Sequence, residues 1–78
     1  MKLEDLGFRR EWKADKSARY EKQVKFYGNV ATIRVSLYYN NAENTIKIEL
    51  FVNGEEVKAK VNRELVLAIL EEIEVLGW

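Results

Sequence analysis

The chain has 78 residues, 47% hydrophobic and 33% charged, with 13 basic residues balancing 13 acidic ones and no proline. A chain this short buries only about 60% of the surface it exposes when unfolded, so the composition reads as one folded domain over residues 1–78 with one thin core. It holds neither cysteine nor histidine, which excludes disulfides, thiolate metal sites and cysteine nucleophiles, and removes the commonest general base and metal ligand together.

Carboxylates, Lys, Tyr, Ser and Thr remain for any chemistry. The sequence has no phosphate-binding glycine loop and no Asp-rich calcium loop. The acid pairs Glu55-Glu56 and Glu71-Glu72 are adjacent in sequence, so their side chains point apart. The expectation is a protein that is not an enzyme and uses no cofactor or metal. The N-terminal MKLEDLGF carries acidic residues and no apolar stretch of signal-peptide length, and no later run approaches a membrane span, which predicts a cytoplasmic protein. Charge is nevertheless uneven. Residues 1–39 carry nine basic and five acidic side chains, and the rest carry four and eight. Such polarity suits either complementarity within the fold or an oriented encounter with a charged partner.

In chain order, Lys2 to Leu6 predicts a short helical turn stopped by Gly7. Phe8 to Lys13 follows as an edge strand with Phe8 and Trp12 on one parity. Arg19 to Tyr27 and Val30 to Asn40 alternate apolar and polar residues as strands, and Gly28-Asn29 supplies a two-residue hairpin turn. Pairing Tyr27 with Val30 would place Phe26 beside Ala31 and Val24 beside Ile33. Thr45 to Val52 and Glu55 to Val61 repeat the pattern around Asn53-Gly54, with Leu50 facing Val57. A loop over Asn41 to Asn44 would pair Tyr39 with Ile46. Asn62 caps a helix whose Leu65, Val66, Ile69, Leu70, Ile73 and Leu76 form one apolar arc ending at Gly77. The fold class is therefore α+β, an antiparallel five-stranded meander with a C-terminal amphipathic helix on its apolar face.

The same register suggests functional surfaces. Lys13, Arg19, Tyr38, Lys47 and Lys60 would align across five strands on the open face, either as a solvated polar face or as a groove for single-stranded nucleic acid or another polyanion. Glu11, Glu21, Ser36, Glu49 and Lys58 would form a mostly acidic neighbouring row, and Arg34 would lie beside Phe51. Phe51 on the solvent side of the sheet, with Leu67 and Val75 off the apolar arc, would be exposed in a monomer, as ordinary scatter or as an interface for a partner protein or a second copy. Glu71, Glu72 and Glu74 oppose the helix macrodipole and would serve solubility, a basic partner or the chain's own basic half. Arg10 and Lys22 would meet on the inward face, in a corner left wet, covered by Glu4 and Asp5, or open to an anion.

The opening L-E-D-L-G-F (Leu3 to Phe8), the Y-E-K of Tyr20 to Lys22 and the closing V-L-G-W (Val75 to Trp78) resemble small proteins of phages and prophages of Gram-positive bacteria. That resemblance implies an accessory factor that binds a host or phage macromolecule, including inhibitors of bacterial defence systems. The expectation is an interaction protein acting through a protein–protein surface. Polyanion binding is the alternative.

Overall fold

A computed structural model describes residues 1–58 and 61–78, with Phe26 by its backbone. A 3-10 turn over Leu3–Leu6 is followed by β1 (Arg9–Lys13), β2 (Ser17–Phe26), β3 (Asn29–Asn40), β4 (Thr45–Val52), β5 (Glu55–Glu56) and α1 (Arg63–Leu76). The strands form one antiparallel meander in sequence order, as expected. The fifth strand is shorter than Glu55 to Val61. It ends at Glu56, although the Val57 amide still donates to the Leu50 carbonyl at 2.8 Å, which keeps the expected Leu50–Val57 alignment. Ala59 and Lys60 lie outside the described residues.

Both two-residue turns place glycine second, with Tyr27 and Gly28 at φ 47° and 77° and Asn53 and Gly54 at 52° and 84°. This corrects the expected Gly28-Asn29 turn. A hairpin turn of this hand needs positive φ at both central residues, and the second lies furthest from what a side chain tolerates. Phe26 therefore pairs with Asn29, and Val24 with Ala31. The shift is two residues, so every side chain stays on its expected face while every cross-strand partner changes.

The β3–β4 register agrees with the expectation, with Tyr39 opposite Ile46 and Arg34 opposite Phe51. The loop between these strands is held by Asn40 Oδ1, which accepts from the amides of Ala42 and Glu43 at 3.1 and 3.3 Å. Between β1 and β2 a bulge at Glu11 changes the outcome more deeply. Arg10 pairs with Tyr20, but Trp12 pairs with Arg19 and Lys13 with Ala18. The extra residue inverts parity partway along the strand. Trp12 therefore leaves the side of Phe8 and is 40% exposed, whereas Phe8 is buried.

The core gathers Leu3, Phe8, Ala18, Tyr20, Val35, Leu37, Ala68, Ile69 and Leu76 between the sheet, the 3-10 turn and the helix. Val35 and Leu37 on the central strand are fully buried, each worth about 1.5–3 kcal/mol of transfer free energy. Asn62 Oδ1 accepts from the Leu65 amide at 2.8 Å at the start of α1, and Gly77 at φ 78° ends it. The helix is rotated from the expected arc. Ala68 lies in the core, whereas Val66 and Leu70 are exposed. Ala68, Ile69 and Leu76 are the helix side chains turned into the core, and the broader flank stays outside.

At a solvent-exposed tip, Tyr27 holds a left-handed conformation that disfavours large side chains. Replacing Tyr27 by Asn, which tolerates that region, is expected to raise stability by roughly 0.5–1 kcal/mol. The check is a higher urea midpoint at unchanged m.

Candidate interaction surface

The five-residue basic row does not form. Tyr38 and Lys47 are cross-strand neighbours, but the two-residue shift sets Arg19 opposite Ser36, and the bulge turns Lys13 to Ala18. Lys60 lies outside the described residues. The Arg19 guanidinium instead stacks over Trp12, 5.4 Å from the ring centroid. Arg34 ion-pairs with Glu21 at 3.3 Å, its pairing neighbour across β2 and β3, and Phe51 beside it is half-buried. Lys47 lies 3.7 Å from Glu49. The open face is thus a mosaic in which aromatic rings and carboxylates engage the cations, and Ser36 at its centre is buried.

Arg10 and Lys22 are likewise not opposite each other. Arg10 reaches toward Glu72 at 3.9 Å, while Lys22 Nζ donates to the Leu6 carbonyl at 3.1 Å and sits 4.9 Å from the Phe8 ring centroid. The corner is therefore divided between a helix carboxylate and the 3-10 turn. Asp5 is engaged locally, accepting from the Lys2 amide at 2.9 Å. Glu71 lies 3.0 Å from the Met1 amino group, so two of the three helix glutamates face the chain's own basic half.

Tyr20 lies buried at the base of a cleft of about 480 Å³ lined also by Leu3, Phe8, Arg10, Glu72 and Val75. Its hydroxyl has no partner of full hydrogen-bond geometry. Burial foremost, and then the neighbouring Glu72 carboxylate, push its phenol well above the ordinary tyrosine value of 10, against a smaller opposing effect of Arg10. A second cleft, of about 510 Å³, is bounded by Lys13, Asp15, Lys16, Tyr39 and Trp78. There Trp78 stacks on Tyr39 at 5.9 Å between centroids and its Nε1 donates to the Asp15 carbonyl at 3.3 Å.

Phe51, Leu67 and Val75 fall in three places: the open face of the sheet, the outer crest of the helix and the rim of the Tyr20 cleft. Apolar side chains gather elsewhere. A groove of about 260 Å³ runs between α1 and β4, lined by Val35, Ile48, Leu50, Leu65, Val66 and Leu70, with Val61 and Ile69 completing it. Ile48, Val61, Val66 and Leu70 are all exposed at its rim, and Leu67 continues the surface over the helix crest. The apolar arc at 100° per residue places Val66 and Leu70 with the core residues, whereas both are exposed. The available signal was the width of the arc, since a 14-residue helix with apolar side chains at 65, 66, 67, 69, 70, 73, 75 and 76 carries more than one contact face can cover.

Among the described residues, no helix is long and apolar enough to cross a membrane and no group of three or more acidic side chains is placed to hold a metal ion.

Tyr20 leads to a pH-dependence prediction. With its folded pKa raised above the unfolded value, the folded state keeps a proton that the unfolded state loses above about pH 10, so stability falls as pH rises through that range. Tyr20→Phe removes this component and a buried hydroxyl without a partner, so it is expected to be close to neutral at pH 7 and less sensitive to alkali than the parent. Urea unfolding at pH 8 and at higher pH distinguishes the two. An equal alkaline loss in both chains would refute the assignment.

Compared with known protein families, characterised proteins and solved structures, the chain has no match.

Proposed function

We propose that the chain is a non-enzymatic interaction protein working through a protein–protein surface on the helix side of the sheet. The carrying observation is the apolar groove rimmed by Ile48, Val61, Val66 and Leu70 and extended by Leu67. Apolar side chains that meet in one exposed groove favour a binding region there, since water in contact with them is released on association.

Residue chemistry supports the non-catalytic part. The chain has no histidine or cysteine, and the buried tyrosine phenol is shifted away from ionisation, the wrong direction for a base or nucleophile near neutral pH. The resemblance of Leu3 to Phe8, Tyr20 to Lys22 and Val75 to Trp78 to phage accessory proteins agrees with a factor that binds a macromolecule, with inhibitors of a host defence system among the candidates. Among the described residues, polyanion binding keeps the Tyr38 and Lys47 pair of its expected row, too few phosphate contacts for strong salt-dependent affinity.

A photo-crosslinking residue placed at Leu70 and, separately, at Tyr38 tests the reading in cells that express the chain. The expected result is a protein adduct of one defined mass from position 70 and none from position 38. No adduct from position 70, or nucleic acid captured at position 38, would overturn it.

A further inference from the structure

We infer that the surface takes a second copy of this chain, with α1 packed antiparallel against α1 of the partner about a two-fold axis at the helix midpoint. This deepens the protein–protein reading and rests on it. Arg63, Leu67, Leu70 and Glu74 follow one another at intervals of four, three and four residues, and all four are exposed. That spacing is a coiled-coil seam, and it lies on the side of the helix away from the stripe of Leu65, Ala68, Ile69 and Leu76 that meets the sheet.

The seam is self-complementary in one orientation. In an antiparallel pair centred between residues 68 and 69, Leu67 of one copy layers with Leu70 of the other, and Arg63 meets Glu74 at each end. A parallel pair would instead set Arg63 against Arg63 and Glu74 against Glu74. Each of these charges is locally misplaced, because a cation at the helix start and an anion in its last turns both oppose the macrodipole. Neither has an ion-pair partner among the described residues. An antiparallel neighbour supplies an opposite charge to both and an opposed helix dipole.

The area agrees. Val66, Leu67 and Leu70 on the helix are 43% to 53% exposed, leaving on the order of 250 Å² of apolar surface to the seam, about half the apolar share of one side of a standard interface of about 800 Å² per partner and suited to a pair that forms as concentration rises. Two-fold symmetry closes such a contact at a dimer.

Light scattering on the purified full chain over a concentration series tests the inference. The expected mass rises from one chain to two. Leu70→Asp should return it to one chain with an unchanged far-ultraviolet circular dichroism spectrum. Arg63→Glu and Glu74→Arg should each weaken association by roughly tenfold, because each brings like charges together. Both changes improve the match to the helix dipole, so fraying of α1 cannot produce the loss. The double variant R63E/E74R should restore association. A single-chain mass at every concentration, a dimer indifferent to Leu70→Asp, or a double variant that stays dissociated would each overturn the pairing. If a crosslinked protein from position 70 accompanies a single-chain mass, the self-pairing fails and the protein–protein reading stands; if position 70 gives no adduct, that reading itself fails.

Discussion

The sheet's register depends on glycine taking the second position of each two-residue turn. Gly28 and Gly54 sit at φ 77° and 84°, while the residues before them, Tyr27 and Asn53, hold the smaller positive angles of 47° and 52°. A side chain tolerates the first position at modest cost and the second poorly, so the glycine acts as a ruler against which the strands are laid. Moving it by one place moves the β2–β3 register by two. Arg19 then faces Ser36 rather than Tyr38, and the basic row across the open face is lost while the buried face of Val35 and Leu37 is untouched.

Several of the chain's charges are engaged within the fold. Arg19 lies over Trp12, Arg34 meets Glu21, and Arg10 meets Glu72. Partly exposed pairs of this kind contribute only about 0–1 kcal/mol each. Their stronger effect is to orient the acidic helix toward the basic half of the chain. Part of the uneven distribution of charge along the sequence thus becomes pairing within the fold, while Arg63 and Glu74 stand at opposite ends of the helix crest with no ion-pair partner among the described residues.

The helix carries more apolar surface than the sheet can cover. Ala68, Ile69 and Leu76 are its buried side chains, with Leu65 and Ile73 packed at the margin. Val66 and Leu70 are thereby turned to the edge of the groove with Ile48 and Val61. In a chain this small the thin core cannot absorb a wide helix arc, because covering it needs a second layer on both flanks. The surplus becomes surface, and surface of that kind is what a partner covers.

Local, periodic features were legible in the sequence by itself. Alternation with period two established the strands and their buried face. The Asn53-Gly54 turn, the Asn41 to Asn44 loop, the Asn62 cap and the Gly77 stop all follow from the conformational preference of single residues. Tertiary structure alone decided whatever depends on counting across strands or on rotating a helix. The bulge at Glu11 sends Trp12 to the opposite face from Phe8, a choice that costs little locally and is made by the packing of Phe8 and Tyr20. The position of the β2–β3 turn preserves parity and so leaves no trace in the hydrophobic pattern. The rotation of α1 puts Ala68, Ile69 and Leu76 in the core and leaves Val66 and Leu70 outside, which the apolar arc alone does not decide. A hydrophobic pattern reports which residues can be buried; which of them are buried is decided by the area that the rest of the fold can offer.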